Sequence, residues 1–241
     1  MSTWVLVTGG CGFIGSHLCG ALVARGDRVR VLDDLSTGRL ENIAGFRDRI
    51  DLVIGSVADA EVVGRSMEGV GRVFHEAALV SVFDSVARPE VNHEVNVTGT
   101  FNVLKAARAC GVRRVVMAST AAVYGNDPEV PKHESMTPSP ESPYAVGKIT
   151  GEYYLRLFHS LYGLETVALR YFNVYGPRQD PGSAYSGVIS RFTEVLRRGG
   201  EPTVFGDGGQ TRDFVYVGDV VAANLLAMDS PEVGRGESIN I

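Results

Sequence analysis

The segment WVLVTGGCGFIGSHLCGALVARGDRVRVLDD, residues 4–34, limits the fold of this chain more than any other. WVLVT is a short β-rich run, and a glycine-rich turn follows it. From Phe13 to Arg25 apolar residues recur at helical spacing, and Gly26 ends the segment. DRVRVLDD then reads as a second strand. Strand, turn, helix and strand in that order make a βαβ unit, which commits the chain to parallel strands.

The alternation continues. IDLVIG (50–55) reads as a strand and VGRVFHEAA (70–78) contains another. Residues 89–110 read as a long helix, RRVVMAST (113–120) as a strand, residues 143–162 as a second long helix and LETVALR (164–170) as a strand. Such a pattern predicts an α/β fold, a Rossmann-type doubly wound parallel sheet covered on both faces, over residues 1–170. After Tyr171 the pattern loosens. A helix is expected over 187–198, a short strand at PTVFG (202–206), a helix over 217–228 and a strand at GESINI (236–241). Residues 171–241 therefore read as a smaller mixed α/β substrate domain over the carboxyl ends of the sheet, with 217–230 packing back on the first domain. A domain seldom ends in mid-strand, so this second domain reads as incomplete. The loop 126–143, rich in Pro, Ser and charge, is long enough to suggest a functional surface.

Composition narrows the function classes. A formal charge of −5 with no Lys/Arg run argues against a general nucleic-acid surface. No apolar run nears membrane-spanning length and no signal segment precedes the first strand. Cys11, Cys19 and Cys110 form no disulfide framework, which fits a reduced cytoplasmic compartment. The five histidines have no metal-ligating spacing, so no metal is expected.

Gly9, Gly12 and Gly15 form a TGxxGxxG pattern. The first allows a tight turn, the second lets a pyrophosphate approach the backbone, and the third lets helix and strand pack closely. Asp33, at the end of the second strand, can accept hydrogen bonds from the adenine-ribose hydroxyls, and its charge would repel an extra 2′-phosphate. The expected cofactor is NAD rather than NADP. Arg39 is the one nearby residue that could tolerate that phosphate.

In SPYAVGK (142–148), Tyr144 and Lys148 share a helix face. Alone, the pair is open to two readings, a helix start with an exposed lysine or a catalytic pair. RRVVMAST delivers Ser119 and Thr120 to the carboxyl end of its strand, on the side where the 143–162 helix begins. Thr120, Tyr144 and Lys148 can then converge beside a nicotinamide, with lysine and ring charge both favouring the phenolate of Tyr144. His75 reads as a strand-end histidine in hydrogen bonds or as a ligand, and Cys11 as a turn filler or a favoured thiolate.

The stretches TGGCGFIGSHL, VLDDLSTGR, HEAA, VNVTGTFNVLKAAR, ASTAAVYG, SPYAVGK, LRYFNVYGPRQDP, YSGVISRF and GDGGQTRDFVYVGDV stand in a specific order and spacing. With them the chain resembles, over essentially its whole length, the extended short-chain dehydrogenases/reductases. The match is to their nucleotide-sugar epimerase/dehydratase branch, and within it to enzymes that invert UDP-hexoses at C4, some of which also handle UDP-N-acetylhexosamines. The resemblance implies Thr120 as the catalytic Ser/Thr, Tyr144 as acid/base, and Lys148 on the nicotinamide ribose. It places Phe13, Ile14, Asp33, Asp34, Ser36, Thr37 and Gly38 on the adenosine half, and Ala77, Ala78 and Asn96 further along the cofactor. Ser56 and Val57 belong with the cofactor contacts, Tyr171 and Phe172 beside the nicotinamide. Ser119, Asn173, Val188, Thr203, Phe205 and Arg212, with Thr120 and Tyr144, would meet a UDP-sugar substrate. Ser56 replaces a frequent aspartate and Val80 a frequent lysine, which alters the cofactor contacts.

Dehydratase and decarboxylase relatives carry acidic residues after the Thr; here Ala121 and Ala122 stand there. The resemblance therefore implies C4 epimerisation through a transient 4-keto sugar. UDP-glucuronate 4-epimerisation, a dehydratase or decarboxylase, and a non-catalytic NAD-binding scaffold are the rival readings. The helices 89–110 and 143–162 would pair across a homodimer, or their apolar faces would be spent within one chain.

Overall fold

The computed structural model describes residues 3–180 and 187–241. Tyr185 and Ser186 of the YSGVISRF stretch, and the remainder of the loop segment up to Ser186, lie outside the described residues.

The strands β1 (Trp4–Thr8), β2 (Val29–Asp33), β3 (Ile50–Ile54), β4 (Val70–His75), β5 (Arg114–Thr120), β6 (Glu165–Tyr171) and β9 (Arg235–Asn240) form one seven-stranded sheet in the order β3-β2-β1-β4-β5-β6-β9. Every pairing is parallel. Alternate residues of each strand feed opposite faces, as the pleat requires. Val5 and Val7 of β1 join one core with Leu18 and Leu22, while Leu6 joins the other with Val103 and Leu104. Apolar residues at consecutive positions are thus buried on two sides, which explains why these strands read as unbroken apolar runs. On the first face lie α1 (Phe13–Ala24) and α8 (Val217–Asp229). On the second lie α2 (Ala60–Ser66), α5 (Gly99–Ala109) and α6 (Pro143–Tyr162).

Local chemistry sets the ends of these helices. Gly26, at φ +87°, stops α1. Ser142 caps α6 by accepting from the Ala145 N–H, Pro143 fills its first turn, and Gly163 closes it at φ +71°. The expected 89–110 helix is a composite. It runs as α4 (Pro89–Asn92), a π-helical segment His93–Thr98, and α5. Sequence periodicity did not separate α2, capped by Asp59, α3 (Val82–Ala87), capped by Ser81, or the 3-10 segment Leu40–Arg49.

The strand expected at PTVFG does not form. Residues 201–205 have no regular structure, and Phe205 is 81% exposed. Among the described residues no strand pairs with this segment, and a run without a ladder partner does not become a strand. The small parallel pair is instead β7 (Asn173–Tyr175) with β8 (Phe214–Tyr216). The helix α7 (Val188–Arg197) buries none of its residues.

Two buried polar devices bind the layers. Glu152 of α6 takes Arg170 of β6 through both oxygens, at 3.0 and 2.7 Å, and also accepts from Ser119 and Ser238. Removing one partner of such a pair strands the other charge in the core. Glu152→Ala is therefore expected to cost about 3–5 kcal/mol, measured by urea denaturation; a loss no larger than that of a surface substitution would contradict the account.

His75 bridges Thr8 Oγ1 at 2.8 Å and Thr100 Oγ1 at 3.0 Å. Thr100 donates its proton to the Asn96 carbonyl, so it must accept from Nε2–H, which leaves Nδ1 to accept from Thr8. The imidazole is neutral, and burial with the nearby Lys148 charge pushes its pKa down to about 3. Because the folded value lies below the ordinary 6.5, the unfolded chain binds the extra proton as pH drops. This contribution is complete above pH 6.5 and is lost toward about 3. The stability gap between wild type and His75→Gln is expected to narrow on acidification through that window, by denaturation at stepped pH; a constant gap would refute the neutral imidazole.

Candidate active site at the carboxyl edge of the sheet

Strand order reverses between β1 and β4, and there the carboxyl edge opens into a crevice, the ligand position of doubly wound sheets. The β1–α1 turn forms its floor. Gly9 has φ +68°, and a Cβ there would lie 2.7 Å from the Ala77 nitrogen. A Cβ on Gly15 would lie 2.2 Å from the Gly9 carbonyl oxygen. Only hydrogen fits at either place, so backbone can meet a ligand directly. Gly12 supplies no side-chain cap to α1, and the first-turn N–H groups around Phe13 and Ile14 face the crevice with the positive end of the helix dipole. That cradle fits a pyrophosphate.

Asp33 closes one end. Its Oδ2 accepts from Cys11 N and its Oδ1 from Leu35 N, both at 2.8 Å. Burial raises its pKa, and those two N–H groups oppose the rise. Each oxygen keeps a second lone pair for a ribose hydroxyl. A Cβ on Gly38 would come within 2.6 Å of Asp33 Oδ1, so the 36–38 loop folds tightly over the carboxylate. Exposed Asp34 turns outward and accepts from the backbone and hydroxyl of Ser36, next to Thr37. Ser56 caps its own turn through Ala58 N, and the Val57 side chain is buried in the core. Cys11 is buried, and burial with the Asp33 charge pushes its thiol up to about 12, which makes it a turn filler and not a thiolate.

Asn96 sits in the π-helical segment, fully buried. It clamps the chain after β4, accepting from Leu79 N at 2.9 Å and donating to Leu79 O at 3.0 Å.

Helix α6 grips the end of β5 at three successive turns. Glu152 holds the Ser119 hydroxyl, Lys148 Nζ donates to the Ala118 carbonyl at 2.8 Å, and the Tyr144 hydroxyl lies beside Thr120. Thr120 also accepts from Ala122 N at 3.1 Å, which fixes its rotamer. The structure thus brings Thr120, Tyr144 and Lys148 together. It turns Ser119 away from them: strand alternation sends its hydroxyl into the buried Glu152, so that hydroxyl is spent before any substrate arrives.

Burial pushes the Tyr144 phenol up to about 12, against a smaller lowering by the neighbouring Thr120 hydroxyl. Lys148 is pulled down to about 8 by burial, with the Glu76 and Glu152 charges opposing the drop. From the protein's own groups, Tyr144 is a phenol at neutral pH.

Tyr171 stands opposite Thr120 in the β5–β6 register. Its hydroxyl accepts from Asn224 at 2.7 Å and donates to Glu76 at 3.0 Å. Phe172 packs with Val123, Tyr124, Met136 and Ile149. Glu76, pushed up to about 7 by burial, Glu152 and Asn224 went unassigned in the sequence. Glu152 was legible as the i+8 partner of Tyr144; Asn224 carries no local signal.

The outer wall is looser. Asn173 donates to the Asp213 carbonyl at 2.9 Å, Val188 opens α7, and Thr203 and Phe205 lie exposed. Arg212 bonds the Thr211 carbonyl. Among the described residues, no hydrogen bond or ion pair joins Val188, Thr203, Phe205 or Arg212 to the Thr120–Tyr144 pair.

Known proteins share this arrangement. The family model described as "NAD dependent epimerase/dehydratase family" matches residues 5–241. A UDP-glucose 4-epimerase of Mycolicibacterium smegmatis is 45% identical over 240 residues, covering 98% of this chain and 76% of that protein. The UDP-N-acetylglucosamine 4-epimerase of Methanobrevibacter ruminantium M1, solved with UDP-N-acetylmuramic acid, superposes with a TM-score of 0.94 at 40% identity, covering 100% of this chain and 76% of that one. The UDP-glucose 4-epimerase of Thermotoga maritima, solved with UDP-glucose, gives 0.92 at 42% identity, covering 99% and 76%. With the glycine cradle, the acid at the β2 end and the Thr–Tyr–Lys cluster in place, the chain belongs to the NAD dependent epimerase/dehydratase family.

Proposed function

We propose that this chain is an NAD-dependent UDP-hexose 4-epimerase, acting on UDP-glucose and UDP-galactose first and on the N-acetyl pair next. The observation that carries the reading is the convergence of Thr120, Tyr144 and Lys148 at the end of β5, followed by Ala121 and Ala122. The relatives named for this activity support it.

Residues 1–170 serve as the NAD-binding domain and 171–241 as the substrate domain, with α8 lying on the sheet beside α1. Gly9, Gly12 and Gly15 hold the pyrophosphate. Phe13, Ile14, Asp33, Asp34, Ser36, Thr37, Gly38, Ser56 and Val57 surround the adenosine half. Ala77, Ala78, Asn96, Lys148, Tyr171 and Phe172 hold the nicotinamide half. The substrate lies against Thr120 and Tyr144, with Asn173, Val188, Thr203, Phe205 and Arg212 as the wall for its UDP; a guanidinium pairs well with phosphate.

Bound NAD supplies a hydride acceptor for C4 and returns the same hydride. Tyr144 takes the C4 hydroxyl proton and gives it back to the C4 oxygen on the return step. Thr120 holds that oxygen in line. The charge on Lys148 is retained beneath the site by Glu76 and Glu152, and favours the tyrosine's proton release. Ala121 and Ala122 can move no proton at C5 or C6. The 4-keto sugar is left to turn over in the pocket and be reduced on its other face, which inverts C4.

The reading includes a homodimer and a cytoplasmic setting. Helices α5 and α6 expose Phe101, Tyr153, Leu157, Leu161 and Tyr162 on one face, a large patch for a single chain to leave in water. The three free cysteines suit a reducing compartment. No helix of the described residues is long and apolar enough to cross a membrane. Leu161→Glu is expected to shift the protein from dimer to monomer in sedimentation velocity; an unmoved sedimentation coefficient would place the contact elsewhere.

Tyr144→Phe is expected to lower turnover by about 10²–10⁴-fold while the bound dinucleotide stays in place; full activity in that variant would defeat the assignment. Wild-type protein incubated with UDP-glucose in deuterated water should yield the C4-inverted sugar without carbon-bound deuterium, by NMR. Deuterium at C5, or loss of water or carbon dioxide, would point to another reaction of the family.

A further inference from the structure

Residues 176–180, GPRQD, leave β7 and run back across the first turns of α1. Three polar contacts hold them there. His17 Nε2 donates to the Pro177 carbonyl at 2.8 Å, Arg178 Nη1 donates to Ser16 Oγ at 3.2 Å, and Arg39 reaches Asp180 at 2.5 Å. Ser16 and His17 follow directly on the glycine turn, and Arg39 follows directly on Gly38 beyond the Asp33 loop. A segment from the far side of β6 therefore touches both lips of the groove that the cradle and Asp33 define.

The backbone is not relaxed there. Arg178 has φ +65°, one of two non-glycine residues among those described with a positive φ. An L-residue adopts that conformation only when its surroundings hold it, and such residues gather at functional sites. Here the neighbours on both sides are tied down, Pro177 by His17 and Asp180 by Arg39. The exposed guanidinium of Arg178 is left against the first turn of α1, on a serine that itself donates to the Phe13 carbonyl at 3.0 Å.

The charges of the groove supply the reason. Asp33 and Glu76 line it with carboxyl groups. A dinucleotide adds a pyrophosphate with two negative charges, and the glycine turn answers those with backbone dipoles alone. Of the cations nearby, Arg39 is engaged with Asp180 and Lys148 with the Ala118 carbonyl. Among the described residues no carboxylate pairs with Arg178. We propose that Arg178 is a cofactor-binding residue, its guanidinium held by Ser16 at the first turn of α1 to answer the pyrophosphate charge and slow the dinucleotide's release. This rests on the NAD reading of the groove. An epimerase needs such retention, because the hydride removed from one face must return before the cofactor leaves.

The test is the release rate of NAD from the holoenzyme, followed by trapping released NAD with excess alcohol dehydrogenase and ethanol. Arg178→Ala is expected to release NAD about tenfold faster, the weight of one charge-assisted hydrogen bond. Arg178→Lys, which keeps the charge, should recover most of the difference, and the NAD-free proteins should melt alike. Equal release from wild type and Arg178→Ala would overturn the proposal. So would an Arg178→Lys protein as leaky as the alanine variant, since charge would then not be what holds the cofactor. A wild-type protein that binds no NAD would instead remove the NAD reading itself, before any variant is compared.

Discussion

The close approach of α1 to the β1 turn is the constraint on which the rest depends. With no room for a Cβ on Gly15 against the Gly9 carbonyl, helix and strand meet backbone to backbone. That contact opens the helix N-terminus at the carboxyl edge of the sheet. It also lets Ala77 pack on Gly9, so the end of β4 comes up beside β1. Asp33 then fastens the turn to the end of β2 through Cys11 N. A side chain placed at Gly15 would push α1 away from the Gly9–Gly10 turn. The ligand groove is in this sense not added to the fold; it is what remains when the first crossover is packed as tightly as backbone allows.

A second constraint sits on the neighbouring strands. Tyr144, Lys148 and Glu152 recur every four residues on α6, and they meet Thr120, Ala118 and Ser119 of β5. The contacts fix the helix in both translation and rotation against the strand. The ion pair of Glu152 with Arg170 extends the clasp to β6, and Ser238 extends it to β9. One buried carboxylate thus serves two ends: it holds the strand that carries Thr120, and its charge opposes the desolvation of Lys148 one turn away. The energy that orients the site is the same energy that joins the sheet to its covering helix.

Much of this was legible in the sequence, and the limits have physical causes. The βαβ opening, the long helices and the sheet strands announce themselves because their signals are local: apolar periodicity, glycine turns, and caps such as Ser142 with Pro143. The pairing of Thr120 with Tyr144 followed from where a strand ends and a helix begins. PTVFG misled because strand formation depends on a partner edge, which composition does not report. The π turn around Asn96 was hidden because it changes register inside a run that still reads as helix. Ser119 misled because one-residue alternation decides which hydroxyl faces the crevice, and only the buried Glu152 shows which way the strand is turned. The burial of Tyr144, which raises its phenol, was not legible either, because a sequence displays a lysine's charge but not the desolvation beside it.

That burial bears on how the reaction is controlled. A tyrosine held near 12 and a lysine near 8 describe a site poised with its acid–base group protonated. For a C4 epimerase this is the useful resting state. The proton must leave Tyr144 only when a C4 hydroxyl is present to be oxidised, and the added positive charge of a bound oxidised nicotinamide would favour that departure. A reduced ring would lack that charge and the phenol would again be favoured, while Glu76 and Glu152 support the charge on Lys148 nearby. Burial, which at first sight spoils Tyr144 as a base, is what couples its proton to the redox state of the neighbouring ring, since in a solvated site water would screen one charge from the other.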